Sequence, residues 1–441
     1  MRFLLVALVA LLGLSSIFDW DPGPAPGLKL KNAILYVLVL GLMLRVSLDR
    51  RFKIELPAVQ IVFAVLIVYA IASYLAVVFV IDYPHYDAIG NGLNLKGVID
   101  QMLFFLVFFY GVRSERDAIL TLKCLLVVFA LSHVMAVLDA VGIVRIGDIE
   151  QRIDGRVQGL VGESNQYGAF VALTLPAILS FALTTRGLQR LLWLAATVVT
   201  AITLIMTVSR GAFVATTLAS ICAFFMFARY APRGRLLKIA AGAFVGVVVL
   251  GSLVIALGFG DLLYERLVSS TSGDMGSTSS GRTDIWRNAL EMMFEHPITL
   301  LSGFGWRSYW SMPFRFSPHN HYLNQWFNLG FIGLASAILL FALPIRAALA
   351  AMTTAVGTRR AVLMCFIIAT LAFAFATFFV DIFGAWLYFW AYTGVVMRLA
   401  VGEPEQVELP AQPTRREAAL PPRDPFGWRA AAIGSGKPAD T

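Results

Sequence analysis

Long hydrophobic segments alternate with short polar ones along the chain as far as about residue 401. Runs of roughly 18 or more apolar residues recur, and a helix of that length can cross a hydrocarbon core of about 30 Å. Hydrophobic residues make up 59% of the chain and charged residues 14%, far from the composition of a soluble globular domain. The pattern predicts an all-α, polytopic membrane protein.

We predict about twelve transmembrane spans from the lengths of these segments. They are Met1–Phe18, Leu30–Leu48, Pro57–Ile81, Lys96–Val112, Ala118–Ile143, Asn165–Thr184, Leu191–Val208, Ala212–Phe227, Ile239–Leu257, Tyr322–Ile345, Ala361–Val380 and Ala385–Leu399.

Basic residues cluster in alternate loops, as the positive-inside rule requires of cytoplasmic loops. This distribution predicts that both ends of the chain are cytoplasmic. It also accounts for much of the formal net charge of +8, so no nucleic-acid partner is expected. The residues that set the orientation are Arg45, Arg50, Arg51, Lys53, Arg229, Arg233, Arg235, Lys238, Arg346, Arg359 and Arg360.

Four regions follow from this layout. Residues 1–257 contain the first nine spans, and residues 258–321 form a long outer loop. Residues 322–401 contain the last three spans. Residues 402–441 are rich in Pro, Arg, Glu and Ala without apolar periodicity, which predicts a disordered cytoplasmic tail.

One polar stretch, Ser280 to Trp326, stands out against the hydrophobic background. It contains three of the five histidines and four of the nine tryptophans of the chain, together with several arginines. Because most of it lies in the long outer loop, we expect the chemistry of the protein to take place there.

Arg210 follows a short turn between two apolar segments. Ser209 is a suitable N-cap for the next helix, which would place Arg210 in the first turn. The free N–H groups and partial positive charge of a helix N-terminus attract anions, and an added arginine strengthens that attraction. The alternative is an arginine that extends to lipid headgroups.

Arg282 begins a second helix in the polar stretch. Residues Arg282–His296 have an apolar face made of Trp286, Ala289, Leu290, Met293 and Phe294, and Pro297 ends the helix. At about 15 residues it is too short to span a membrane, so we predict an amphipathic helix at the outer surface. Two first-turn arginines suit a diphosphate, whereas the alternative for Arg282 is a solvated surface side chain.

His319 lies at the predicted start of the tenth span. Ser317 and Pro318 have the pattern of an N-cap followed by a first helical residue, so we predict His319 and Asn320 in the first turn. Histidine accepts a proton near neutral pH, which suits a general base. The alternative is a capping or surface histidine. His321 and Tyr322 follow directly, and His321 is a second candidate for the base.

No metal or nucleotide motif accompanies these residues. The chain contains no HxxxH or HExxH motif, no cluster of carboxylates and no GxxxxGK[ST] loop. Cys124, Cys222 and Cys365 lie in apolar runs, and no CxxC is present. We therefore expect no metal site, no cofactor and no disulfide.

Five blocks of the sequence resemble the family of O-antigen ligases and O-antigen polymerases, which build bacterial surface polysaccharides. The later blocks are the more specific, with Arg, Trp and His-Pro followed by Gly-x-Gly, His-Asn-x-x-Leu and Gly-x-x-Gly. The blocks are GRVQGLVGESNQYGAF (Gly155–Phe170), TVSRGAF (Thr207–Phe213), GRTDIWRNALEMMFEHP (Gly281–Pro297), GFGW (Gly303–Trp306) and PHNHYLNQWFNLGFIGL (Pro318–Leu334).

The resemblance implies about twelve helices in the bacterial inner membrane, with a large periplasmic loop between the ninth and tenth. It implies a glycosyltransferase that moves a glycan from undecaprenyl diphosphate to an acceptor sugar hydroxyl without nucleotide sugar or metal, among membrane lipids. By position in the motifs, His319 would be the general base, and Arg210 and Arg282 would bind the diphosphate. Further substrate-binding candidates are Arg156, Asn165, Asn320, His321 and Tyr322.

Several alternatives remain within and outside the family. An O-antigen ligase uses lipid A-core as its acceptor, whereas a polymerase uses another lipid-linked glycan. Many members have a glutamate two residues before the first glycine of Gly-x-x-Gly, where this chain has Asn328. A flippase or transporter of lipid-linked oligosaccharides would concentrate its polar residues near the middle of the membrane. The polar residues here collect on the outer face, which favours a glycan transferase over a transporter. Between the two acceptors, we expect the ligase type.

Overall fold

The structure is a computed structural model, and it describes residues 2–18, 22–23, 29–49, 53–144, 156–159, 163–228, 242, 245–246, 248–267, 281–313, 318–382 and 384–402. The tail that is predicted to be disordered lies outside the described residues, apart from Gly402. Ser317 and the Ser/Thr/Gly-rich segment before Gly281 also lie outside them.

The described residues form helices, turns and loops, and no strand occurs among them. A π-helical turn, Val77–Ile81, continues α3, and a 3₁₀ turn, Ser308–Ser311, lies ahead of α13. The helices are α1 Arg2–Phe18, α2 Leu30–Leu48, α3 Pro57–Ala76, α4 Ala88–Gly111, α5 Glu115–Ala140, α6 Ser164–Thr184, α7 Gly187–Met206, α8 Arg210–Ala228, α9 Val248–Phe259, α10 Gly260–Leu267, α11 Arg282–Glu295, α12 Thr299–Ser302, α13 His321–Met352, α14 Gly357–Ala376 and α15 Trp386–Val401.

Eight of these helices are long and apolar enough to cross a membrane, namely α2 to α7, α13 and α14. Shorter apolar segments within α1, α8 and α9 correspond to three more predicted spans. The last predicted span corresponds to α15, which has 16 residues. The prediction of an all-α membrane protein is confirmed, and the count of twelve spans stays a prediction.

The start of α4 differs from the prediction. The sequence pattern placed Asp82–Leu95 in a loop, but the helix begins at Ala88. The Asp87 carboxylate caps it by accepting a hydrogen bond from the Gly90 N–H at 2.9 Å. The Asn94 side chain donates to the Gly90 carbonyl oxygen at 2.8 Å. Local capping thus offsets the low apolar content of this first turn.

Helix α4 also carries two charged residues that hydropathy alone does not suggest. Lys96 and Asp100 form an ion pair one turn apart, with Nζ and Oδ2 at 2.5 Å. The Tyr36 hydroxyl donates to the other carboxylate oxygen of Asp100 at 2.8 Å. Because the three groups bond to one another, the cluster joins α2 to α4 within the bundle.

Helix α6 is the central helix of the bundle, since most of its residues are buried around the whole circumference. It packs against α7 and α14, and α14 in turn packs against α8. A Cβ added at Gly168 would lie 2.9 Å from the Ser209 Cβ atom. Glycine is therefore needed where the first turns of α6 and α8 meet.

Aromatic side chains fill the contact between α4 and α15. The Trp390 ring meets Phe63 at 4.6 Å and Phe105 at 6.1 Å between centroids, both edge to face. Gly394 allows the backbones to approach, because a Cβ there would lie 2.8 Å from the Phe105 carbonyl oxygen. This aromatic cluster packs α3, α4 and α15 together.

Helices α6, α8 and α13 begin at one end of the bundle, and α7 and α14 terminate there. We call it the loop end. Two backbone contacts join its segments. The His321 N–H donates to the Thr377 carbonyl oxygen at 2.8 Å, and the Val157 N–H donates to the Met206 carbonyl oxygen at 3.3 Å. The opposite end carries the Arg398–Glu55 ion pair at 2.5 Å.

Candidate active site at the loop end

Arg210 lies in the first turn of α8, as the sequence predicts. The Ser209 hydroxyl accepts a hydrogen bond from the Ala212 N–H at 3.3 Å, so the predicted N-cap is confirmed. The turn from α7 into α8 is tight, with Val208 in the left-handed region at φ 47°. It directs a helix N-terminus and the Arg210 side chain to the loop end.

Arg156 and Asn165 lie beneath this turn. The buried Arg156 guanidinium donates from Nε to the Thr207 carbonyl oxygen at 2.9 Å and from Nη2 to Asn165 Oδ1 at 3.0 Å. The Ser209 hydroxyl donates to the same Asn165 oxygen at 3.2 Å. These bonds fix the turn that carries Arg210. Direct contact of Arg156 or Asn165 with substrate stays a prediction.

Glu163 is a residue of the site that the sequence reasoning missed. Its side chain caps α6 by accepting hydrogen bonds from the N–H groups of Asn165 at 3.0 Å and Gln166 at 2.9 Å. Burial lowers the pKa of both Arg282 and His319, and the negative charge of Glu163 opposes that effect. From the sequence alone, a glutamate before a helix is interpreted as an ordinary N-cap. Only the tertiary structure shows that Glu163 also lies near Arg282 and His319.

Helix α11 begins at Arg282, so the predicted first-turn position is confirmed. Ala289 and Met293 are buried beneath the helix, as its apolar face predicts. Phe294 was assigned to that face wrongly, because 63% of its surface is exposed. The Trp286 indole N–H donates to the Pro318 carbonyl oxygen at 2.5 Å, which ties α11 to the segment that carries His319.

The Arg282 guanidinium shares its surroundings with Arg210. Desolvation lowers the pKa of Arg282 most, the charge of Glu163 opposes that effect, and the charge of Arg210 adds to it. Two arginines from helices far apart in sequence thus lie within electrostatic range of each other. An anion placed between them would relieve their mutual repulsion.

His319 lies outside α13, so its predicted place in the first helical turn is wrong. The helix starts at His321, and the Asn320 side chain is its cap, accepting from the Leu323 N–H at 3.1 Å. His319 itself adopts the left-handed conformation with φ 48° and is exposed. Asn320 caps better than the predicted serine because it sits directly before the apolar helix.

Electrostatics favour the neutral form of the His319 ring. Desolvation by the surrounding protein lowers its pKa most, the charge of Arg282 lowers it further, and the charge of Glu163 opposes both. A neutral imidazole near pH 7 can accept a proton, as a general base must.

His321 and Tyr322 occupy different surroundings from His319. The His321 ring packs against Trp386 with centroids 4.9 Å apart. The Tyr322 hydroxyl donates to the Ala374 carbonyl oxygen at 2.9 Å. Both residues therefore join α13 to its neighbours. The roles of Asn320, His321 and Tyr322 in substrate binding stay predictions.

Asp381 is a second site residue that the sequence reasoning missed. The sequence places it only in a tight turn, but the structure buries it to 3% exposure. Burial raises the pKa of its carboxyl to about 7, against hydrogen bonds from the Asn324 side chain and the His319 backbone N–H and the charges of Arg307 and Arg282. Asp381 thus links His319 to α13.

Asp381→Asn is expected to flatten the pH dependence of stability. The folded state holds the Asp381 proton up to about pH 7, whereas the usual pKa of the side chain is 3.8, so the free energy of unfolding falls as pH rises through this window. Each tenfold difference in proton affinity contributes about 1.4 kcal/mol. Thermal unfolding in detergent between pH 4 and pH 7 measures the effect.

Asp82→Asn is the control for this measurement, since Asp82 is exposed in a loop. It should retain the wild-type pH dependence. An Asp381→Asn protein with the same slope as the wild type would show that Asp381 is ionised throughout.

Two glycine motifs pack against each other below His319. Helix α13 is broken at Gly330, with φ 58° and ψ −152°, which leaves the preceding carbonyls unpaired within the helix. The Phe304 N–H donates to the Phe327 carbonyl oxygen at 2.8 Å, and the Gly305 N–H donates to that of Asn328 at 3.0 Å. The backbone N–H groups of the Gly303–Gly305 turn thus bond to the carbonyl oxygens that the break at Gly330 leaves free.

Asn328 occupies the position at which many family members carry glutamate. It is buried at 4% exposure, and its amide donates to the Asn324 carbonyl oxygen at 2.8 Å. The Ser308 hydroxyl donates to Asn328 Oδ1 at 3.4 Å. Since Asn324 bonds to Asp381, Asn328 belongs to the hydrogen-bonded support beneath His319.

Gly330→Ala is expected to destabilise the protein by about 4 kcal/mol, because alanine is strained at this backbone conformation and its Cβ would lie 2.1 Å from the Leu301 carbonyl oxygen. The matched control is Gly142→Ala, at φ 79° with no atom within 4 Å, which should cost only about 1 kcal/mol. The shift in the midpoint of thermal unfolding compares the two. Equal shifts would contradict the close contact at Gly330.

The Gly303–Trp306 segment is hydrogen-bonded to the bundle. The hydroxyls of Tyr83 and Tyr86 donate to the carbonyl oxygens of Phe304 at 2.9 Å and Trp306 at 2.7 Å. The Trp306 indole N–H donates to the Asn91 carbonyl oxygen at 2.9 Å. These bonds hold the Gly303–Trp306 segment against α4 and the loop that precedes it.

Comparison with known protein families gives a match to part of the chain. The family described as O-antigen ligase matches residues 195–338, about a third of the chain. The match includes four of the five sequence blocks above, whereas Gly155–Phe170 lies outside it. No curated protein matches the chain. The match contains Arg210, Arg282 and His319, so the predicted resemblance of this membrane protein to the O-antigen ligase and polymerase family is confirmed over these residues.

Proposed function

We propose that the protein transfers a glycan from undecaprenyl diphosphate to an acceptor sugar hydroxyl, as an O-antigen ligase does with lipid A-core. The observation that carries this proposal is that Arg282 lies within electrostatic range of both Arg210 and His319, and the three residues come from segments far apart in sequence. Two cations beside a neutral histidine suit a reaction in which a diphosphate leaves and a hydroxyl loses its proton.

The proposed reaction has one chemical step. The acceptor oxygen bonds to the anomeric carbon as the bond from that carbon to the diphosphate breaks. Arg210 and Arg282 neutralise the charge that develops on the diphosphate, and the hydroxyl proton passes to His319. Attack opposite the leaving group inverts the configuration at the anomeric carbon.

The loop end would face the periplasm, with both chain ends in the cytoplasm of a bacterium and the helices in its inner membrane. The basic loops predicted at the opposite end support this orientation. It gives the enzyme access to a membrane-bound donor and to an acceptor in the periplasm.

Purified protein in liposomes tests the proposal. Supplied with lipid-diphosphate-linked glycan and lipid A-core, it should release undecaprenyl diphosphate and attach the glycan to the core. Elongation of the lipid-linked glycan without transfer to the core would instead identify a polymerase. Movement of the donor across the bilayer without any transfer would identify a transporter and overturn the proposal.

A further inference from the structure

A cavity of about 190 Å³ lies between α3, α4, α13 and α15, next to the candidate active site. Arg307, Asn324 and Asp381 are among the residues that line it. Asp381 also accepts a hydrogen bond from the His319 backbone N–H, so the cavity and the proposed general base share a wall. Of the residues predicted from sequence, His321 is the one that lines this cavity.

The size of the cavity fits a small ring rather than a lipid. A water molecule needs roughly 15 Å³ of cavity volume, so the cavity has room for roughly a dozen atoms or small groups of the size of water. A single pyranose with its hydroxyls has about that many heavy atoms. A long isoprenoid chain would not fit.

Aromatic rings form much of the wall. Trp386 and Trp390 are nearly parallel, with centroids 6.4 Å apart. The indole N–H groups of two lining tryptophans are bonded, that of Trp390 to Gln101 Oε1 at 3.2 Å and that of Trp306 to the Asn91 carbonyl oxygen at 2.9 Å. Trp306 and Trp390 are therefore fixed in orientation, and aromatic side chains in the lining suit the C–H groups of a sugar ring.

Amide side chains complete the lining. Asn94, Gln101, Asn324 and Gln325 all border the cavity. The Gln325 side-chain oxygen is buried and accepts no hydrogen bond from the described residues. A purely apolar ligand would leave the Gln325 oxygen without a partner at a cost, whereas a hydroxyl-rich ligand can donate a hydrogen bond to it.

We propose that this cavity binds one neutral pyranose ring of the acceptor glycan, adjacent to the hydroxyl that His319 would deprotonate. The inference rests on the proposed function. A donor sugar shares the same chemistry, but the arginines for the donor diphosphate come from α8 and α11, whereas the cavity is formed by α3, α4, α13 and α15. Binding there would hold the acceptor independently of the donor.

Gly97→Leu tests the proposal by filling the cavity. Gly97 lines it, and a Cβ added there meets no atom within 4 Å, so the side chain can enter without repacking the helix. We expect the KM for the acceptor to rise about tenfold, with the KM for the donor and kcat little changed. A rise in the donor KM instead would assign the ring to the donor and overturn the acceptor assignment.

Gly41→Leu is the matched control, because Gly41 is an exposed position of α2 that also has no atom within 4 Å of the added Cβ. It should behave as the wild type does. Gln325→Leu removes the amide at nearly constant volume, and it should also raise the acceptor KM.

A binding measurement without donor separates this inference from the proposed function. Methyl hexosides are added stepwise to the full-length protein, and its tryptophan fluorescence is recorded, since tryptophans line the cavity. We expect a saturable change in the wild type and in Gly41→Leu, and none in Gly97→Leu. Saturable binding by a wild type that transfers no glycan would support the cavity and defeat the proposed function. No saturable change in the wild type would overturn the cavity proposal.

Discussion

Replacing His319 with asparagine is expected to lower the rate of glycan transfer about a thousandfold, the size of effect typical of a lost general base. The substitution is chosen because His319 has φ 48°, a left-handed conformation that asparagine tolerates better than alanine. Folding should therefore be retained, and the KM for the donor should change little, because the arginines remain. Initial rates in liposomes with varied donor and acceptor measure both quantities.

His85→Asn is the matched control for this variant. His85 is exposed and also left-handed, with φ 62°, but it lies in the loop before α4. It should transfer glycan at the wild-type rate. Full activity of His319→Asn would remove His319 from the mechanism and direct attention to His321, whose replacement would then be tested.

The pH profile gives a second view of His319. Because desolvation and the charge of Arg282 lower the pKa of His319, the rate of the wild type should begin to fall only below the usual histidine pKa of 6.5. This fall of the rate at low pH should be absent from the residual activity of His319→Asn. An unchanged fall in the variant would show that a group other than His319 causes it.

Arg282→Gln is expected to reduce kcat/KM for the donor by about a hundredfold, because it removes a charge that would stabilise the leaving diphosphate. Arg210→Gln should have a similar effect. Since both would hold the same group, the double variant should lose much less than the product of the two single losses. Lysine at either position should restore part of the activity, as it keeps the charge without the bidentate geometry.

Arg287→Gln is the control for the arginine variants. It lies on the same helix as Arg282, is largely exposed, and pairs with Asp284 one turn away. We expect no change in donor kinetics from its replacement. Losses at Arg282 and Arg210 that multiply independently would show that the two arginines do not share one ligand.

Local signals in the sequence were sufficient for several parts of the site. A serine before an apolar run predicted the start of α8 and the place of Arg210. The spacing of apolar residues and Pro297 predicted the limits of α11 and the place of Arg282. These features depend on residues within one or two turns, which is the range over which capping and amphipathic patterns act.

The same reasoning failed where two local signals competed. The Ser-Pro pair ahead of His319 resembles a helix start, but Asn320 provides the cap, and His319 is left outside the helix. Polar residues at the start of α4 resembled a loop, but Asp87 caps a helix there. Which of two adequate caps is used depends on contacts with other segments, such as the bond from Trp286 to Pro318.

Hydropathy along the chain predicted an all-helical membrane protein with a polar outer loop, and the motifs predicted the resemblance to O-antigen ligases and polymerases. Only the tertiary structure brought Glu163 and Asp381 to the arginines and His319, and only it formed the cavity beside them. The physical reason is that charge and burial at these positions come from segments far apart in sequence. Hydropathy and capping describe each helix alone, whereas a shared electrostatic site exists only once the helices are packed.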